Sequence, residues 1–125
     1  MFEVTNTTNA PAAIGPYSQA VTVNGVLYAS GQIPLDPATA TIVGTTIEEQ
    51  TEQVCKNIQG VLEANGLTFE NVFKTTCFLS DMADFAAFNE VYGKYFVGKP
   101  ARSCIAAAAL PKAVLVEVEV IAELG

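Results

Sequence analysis

From Val114 to Ala122 the chain alternates without a break. Val114, Val116, Val118, Val120 and Ala122 fall on one side, and Leu115, Glu117, Glu119, Ile121 and Glu123 fall on the other. A period of two belongs to a β-strand, whose successive side chains point to opposite faces. The first face is unbroken aliphatic and must cover a core. The second mixes acids with leucine and isoleucine. It reads either as a wetted sheet face or as an interface or cleft, in which buried carboxylates need partners.

The residues before this strand define what it pairs with. Arg102 is the only arginine in the sequence and follows Pro100-Ala101. A strand is expected from Arg102 to about Leu110, a turn over Leu110-Pro111-Lys112-Ala113, and then the alternating strand. With that turn centred near Lys112, Arg102 stands opposite Ile121. Glu117 is then ~13 Å away along the strand. One hairpin would not bring Arg102 and Glu117 to one small ligand, whereas a neighbouring subunit would. Arg102 itself reads as a surface cation or as a bidentate carboxylate fork, a role lysine cannot fill.

Hydrophobic residues make up 50% of the 125, and charged residues only 15%, against about a quarter in ordinary domains. A small monomer hides that much apolar surface with difficulty, so an oligomer with apolar interfaces is expected. No apolar run approaches the ~18 residues of a membrane span. No basic leader precedes an apolar segment, so no secretory signal is expected. The three cysteines, Cys55, Cys77 and Cys104, are odd in number and widely spaced, which suits reduced thiols in the cytoplasm. There is no histidine and no CxxC pair, which excludes zinc chemistry of the usual kind and a histidine-based triad. Net charge is −7 and the lysines are scattered, so neither nucleic acid nor a membrane surface is an expected partner.

The rest of the chain supplies local signals. Residues 1–17 read as a short strand or arm followed by a loop, with Tyr17 at the loop exit after Gly15-Pro16. Tyr17 reads first as a packing tyrosine. Ala20 to Ala29 is a hairpin with Asn24-Gly25 as a type I′ turn. Ser30-Gly31-Gln32 follows, with Gly31 either a bulge or a close backbone approach, the bulge being simpler. Thr46-x-x-Glu49 is a capping box. It opens a helix carrying Ile47, Val54, Cys55, Ile58, Val61 and Leu62 on one stripe, ended by Asn65-Gly66. A strand spans Phe69 to Ser80. Asp81 then caps a second helix, with Asp84 in its first turn. Phe85, Phe88, Val91, Tyr92, Tyr95 and Phe96 form its apolar face. Asn89 and Tyr92, three apart, share a side and read locally as surface asparagine and core tyrosine. The economical packing is α+β: two helices on one face of a mixed sheet of five or six strands. The other face, with Glu117 on it, then needs a partner chain.

Taken together, Gly15-Pro16-Tyr17, Ser30-Gly31-Gln32-Ile33-Pro34, Asp84-Phe85 with Asn89-Glu90-Val91-Tyr92, Pro100-Ala101-Arg102-Ser103-Cys104, Leu110-Pro111-Lys112 and Val116-Glu117-Val118-Glu119 resemble the Rid family of reactive intermediate deaminases, the YjgF-type proteins. The motifs keep that family's order and span nearly the whole chain. The run Ala106 to Ala109 is smaller than the family's usual residues, which bears on pocket shape. The resemblance implies one Rid-type domain over residues 1–125, a chorismate-mutase-like fold, and a homotrimer with sites between subunits. It implies hydrolysis of 2-imino and 2-enamino acids, including 2-iminobutanoate and 2-iminopropanoate released by pyridoxal-phosphate dehydratases, to 2-oxo acids and ammonia, with no cofactor. It makes Arg102 the holder of the substrate carboxylate and Glu117 the group that orients water. Tyr17, Asn89 and Tyr92 would line the site, and Ser30, Gly31 and Cys104 would lend mostly backbone contacts.

The chemistry agrees with the residues. An imine carbon is already electrophilic, so orientation and a positioned water supply much of the catalysis. Cys104 beside Arg102 is a weaker candidate as a nucleophile, because no base for covalent chemistry is evident. Three other readings stay open: a trimeric module that binds small carboxylates such as 2-oxo acids without turnover, a ribonuclease or translation inhibitor, and a holdase-like protein using apolar surface that an opened trimer would expose.

Overall fold

The computed structural model describes residues 1–125. Six strands form one mixed sheet: β1 (Glu3–Thr5), β2 (Ala20–Val23), β3 (Val26–Ala29), β4 (Val72–Leu79), β5 (Ala101–Ala106) and β6 (Val116–Glu123). Their spatial order is β1-β2-β3-β6-β4-β5, and only β4 and β5 run parallel. Helix α1 (Ile47–Glu63) and helix α2 (Phe85–Tyr95) complete the domain. No helix is long and apolar enough to cross a membrane.

The local signals place the elements. Asn24 and Gly25 both take positive φ, 51° and 78°, which is the backbone a type I′ hairpin turn demands. The α1 capping box is complete: Thr46 Oγ1 accepts from the Glu49 N–H, and the Glu49 carboxylate accepts from the Thr46 N–H. Those bonds hold the Glu49 carboxyl below its usual range, with the Thr45 N–H the largest cause. At the second helix, Asp81 caps a single 3-10 turn, Met82–Asp84, by accepting from the Ala83 N–H at 2.9 Å. Asp84 stands at the start of α2 without a side-chain bond. The expected cap therefore acts one turn early.

Both helices cover one face. Val54, Ile58, Val61 and Leu62 from α1 and Phe88 from α2 close over Leu27, Leu79, Val116, Val118 and Val120, all fully buried. Each such side chain removed from water contributes about 1.5–3 kcal/mol. The N-terminal arm crosses α1 at Gly60, where a Cβ would collide with the Asn9 carbonyl.

The expected hairpin between the Arg102 strand and β6 does not form. β5 ends at Ala106, and β4 lies between it and β6. Arg102 stands opposite Thr75 of β4, not opposite Ile121. The α2 crossover returns the chain parallel to β4, which a tight turn cannot do. Leu110 to Ala113 does turn, as a 3-10 turn with Lys112 and Ala113 both at φ 56°. It carries the chain past the end of β4. β4 is the better neighbour for β6, since Thr75, Cys77 and Leu79 match the buried row Val120, Val118 and Val116.

Candidate functional site

The sheet register separates the candidate residues into two groups. Glu117 stands opposite Phe78 of β4. It belongs to the sheet face the helices leave open, since its neighbours Val116 and Val118 are the buried ones. Arg102 stands opposite Thr75, which is fully buried on the helix side. Arg102 and Glu117 therefore project from opposite faces. They are two strands apart and three residues out of step, ~14 Å between backbones. The assumed register was wrong, yet one chain still does not bring the two together.

On the open side, Tyr17, Ser30, Gly31 and Glu117 line one cavity of about 590 Å³, with Ile14, Ile33 and Lys112 in its wall. Two buried amides build its loops. Gln19 pins the arm that leads to Tyr17: its Oε1 accepts from the Thr7 N–H at 2.8 Å, and its Nε2 donates to the Thr7 and Pro11 carbonyls at 2.9 and 2.8 Å. Asn57 Nδ2 donates to the Ile33 and Leu35 carbonyls at 3.1 and 2.9 Å. The Ser30 hydroxyl donates to the Ser18 carbonyl at 2.6 Å, so the side chain serves the loop.

Gly31 occupies a bulge. Tyr28 pairs with Ile121 and Gln32 bridges Val118, so the β3 side spends one residue more than β6 over the same span. A Cβ on Gly31 would collide with the Glu117 carboxylate and come within 2.8 Å of its Cδ. Bulge and close approach are thus one feature. Glu117 is half-buried, and burial raises its pKa above the usual carboxylate value, with the Glu119 charge adding to the shift.

On the helix side, Arg102 Nη1 donates to Asn89 Oδ1 at 2.7 Å. Its guanidinium carbon lies 4.9 Å from the Tyr92 ring centre and 5.4 Å from that of Phe85. A cation over an aromatic face is attracted by the ring quadrupole. Asn89, Tyr92, Gly93, Lys99 and Arg102 border a second cavity of about 370 Å³. Burial pushes the Tyr92 hydroxyl up to about 12, although Thr75 opposes this with a hydrogen bond. Asn89 is therefore more than a surface residue, and Tyr92 is both core and ledge.

Cys104 is half-buried two residues beyond Arg102 and opposite Cys77. Burial raises its pKa, and the nearby Arg102 offsets this only in part. It is a thiol at neutral pH, which disfavours it as a nucleophile. Burial also pushes Cys77 up to about 12. No three of the Cys, Asp and Glu side chains gather into a metal-ligating group. Phe85, Gln19, Asn57 and Lys112 are site neighbours that local sequence reasoning missed as such. Only the Asp84-Phe85 and Leu110-Pro111-Lys112 motifs pointed to any of them, and neither marked a site contact.

Residues 7–124 match the family model described as endoribonuclease L-PSP. A protein described as a regulator, AldR of Lactococcus lactis, is 55% identical over 123 residues, 98% of each chain. The 2-iminobutanoate/2-iminopropanoate deaminase of mouse is 49% identical over 124 residues, 98% of this chain and 92% of that one. The crystal structure of YyfA of Yersinia pestis, a protein of unknown function in the conserved Rid family, superposes with a TM-score of 0.95 at 50% identity and covers 98% of this chain and 99% of that one.

Proposed function

We propose a function for a chain that belongs to the endoribonuclease L-PSP family, the YjgF/Rid proteins: hydrolysis of 2-imino and 2-enamino acids to 2-oxo acids and ammonia, in a homotrimer whose sites lie between subunits. The observation that carries it is the pairing of two incomplete halves. Arg102 is held by Asn89 and Tyr92 with most of its donors uncommitted. Glu117 projects into a cavity on the opposite face. A second copy that set its Arg102 edge against this cavity would complete a site with a cation for the substrate carboxylate and a base for water. The mouse relative, a named deaminase, supports the same reading.

In that site the Arg102 fork grips the carboxylate of the imino acid. Glu117 accepts a proton from water as the water oxygen bonds to the imine carbon. The resulting carbinolamine carries both OH and NH2. Starting from the protonated imine, Glu117 returns that proton to the nitrogen, the C–N bond breaks as the hydroxyl gives its proton back to Glu117, and ammonia leaves behind the 2-oxo acid. An enamine joins the same route after protonation at its terminal carbon. The water-excluding apolar wall strengthens both charged contacts. Tyr17 closes the cavity above Glu117. The backbones of Ser30, Gly31 and Cys104 frame the substrate.

The test is a coupled assay in which a dehydratase generates 2-aminoacrylate and 2-aminocrotonate. Wild type accelerates 2-oxo acid release above the spontaneous rate, and a still-assembled Arg102→Ala variant does not. No acceleration by wild type on either substrate would overturn the proposal. The resemblance to a regulator favours one second reading, a trimer that binds small carboxylates without turnover. Glu117→Gln separates the two, since it spares carboxylate binding but stops hydrolysis. A ribonuclease role would require RNA affinity with a steep salt dependence, which the net charge of −7 disfavours.

A further inference from the structure

We infer that Thr75 is a positioning residue for Arg102, acting through Tyr92. The inference rests on the reading of Arg102 as the carboxylate clamp. Thr75 is fully buried in the centre of β4. Its hydroxyl lies 2.7 Å from the Tyr92 hydroxyl, and its only other polar contact is the Cys77 sulfur at 3.9 Å. The flanking core-facing residues of β4, Cys77 and Leu79, do without an oxygen. A hydroxyl here costs burial unless it is bonded, and its one strong partner is the ring that lies beneath the guanidinium.

Three contacts converge on that ring. It stacks on Phe96 with centres 4.2 Å apart and 18° between planes. It meets Phe88 at 5.3 Å. It carries the Arg102 guanidinium at 4.9 Å. Aromatic contacts leave a ring free to slide in its own plane, whereas the Thr75 bond fixes its tip. Thr75 is also the ladder neighbour of Arg102 in the parallel pair. One residue therefore sets the strand position from which Arg102 springs and the ledge on which its head rests. Asn89, one turn before Tyr92 on α2, completes the hold from the side.

Arg102 offers a direct readout, because it is the sole arginine and gives a single Nε–H resonance. In uniformly 15N-labelled protein, Thr75→Val and Tyr92→Phe, which cut the bond from its two ends, shift or broaden that resonance. Thr75→Ser, which keeps the hydroxyl, leaves it as in wild type. Titration with 2-oxobutanoate, the oxo acid this chemistry releases, shows Kd raised about tenfold in Thr75→Val, the worth of one neutral hydrogen bond. KM for the imino acid rises with it while kcat changes little. The double variant is no worse than either single one, since both remove the same contact. An unchanged resonance and unchanged Kd in both Thr75→Val and Tyr92→Phe would overturn the inference. A perturbed resonance in a protein whose wild type does not bind 2-oxobutanoate would uphold the Thr75 coupling and refute the clamp.

Discussion

At the scale of single residues, the proposed chemistry depends on a fork and a carboxylate. Arg102 donates to Asn89 through one nitrogen, and its guanidinium carbon lies over the Tyr92 and Phe85 rings. An ammonium reproduces neither the second parallel bond to a carboxylate nor the guanidinium contact with the rings. Arg102→Lys is therefore expected to lower kcat/KM by about 100-fold, the loss of a charge-assisted bond, in steady-state kinetics on 2-aminocrotonate. Glu117 must be ionised to accept a proton. Its pKa is raised by burial first and by Glu119 second, so activity falls as pH drops through that raised value. Glu119→Gln removes the like charge and moves the acid limb of kcat/KM to lower pH. The same shift acts on stability. Between the ordinary carboxylate pKa and the raised one, the folded chain holds more protons than the unfolded chain. Stability thus rises as pH falls through this window, and ionised Glu117 costs stability above it. Glu117→Gln is expected to raise Tm at neutral pH, with the gain fading as pH is lowered through the window.

At the scale of elements, the bulge at Gly31 and the capped start of α1 answer to different measurements. Gly31→Ala drives a methyl into the Glu117 carboxylate, which is the movable end of a side chain. Turnover should fall about tenfold or more as the base is displaced, while Tm changes little. Thr46→Ala removes the cap bond to Glu49 and costs ~1 kcal/mol of stability, a fall of roughly 4 °C in thermal unfolding, with kcat unchanged. These elements were legible in the sequence because their causes are local: Asn24-Gly25, Thr46-x-x-Glu49 and the β6 alternation each act within a few residues. The order of β4, β5 and β6 was not. Thr75 meets both Arg102 and Val120, and neither pairing leaves a mark near Thr75. The face of Arg102 was equally hidden, since Ala101 to Ala106 lacks a clear apolar alternation. Gln19 and Asn57 look like surface amides until distant loops close over them.

At the scale of the whole molecule, the open face of the sheet gathers Val4, Val21, Tyr28 and Ile121 in one row across four strands. Val4 and Tyr28 remain 59% and 45% exposed, and Ile105 near Glu117 is 52% exposed. Such a surface is costly to leave in water. A mass of three chains by light scattering is expected, and a monomer would contradict both this surface argument and the shared site. The most direct test mixes two inactive proteins. Arg102→Ala and Glu117→Gln chains are unfolded together, refolded into mixed trimers and assayed on 2-aminocrotonate. If each site takes Arg102 from one chain and Glu117 from its neighbour, random mixing leaves about a quarter of the sites intact, and that share of wild-type activity returns. Mixed trimers that stay as inactive as their parents would contradict the account, because the two residues would not then meet across subunits.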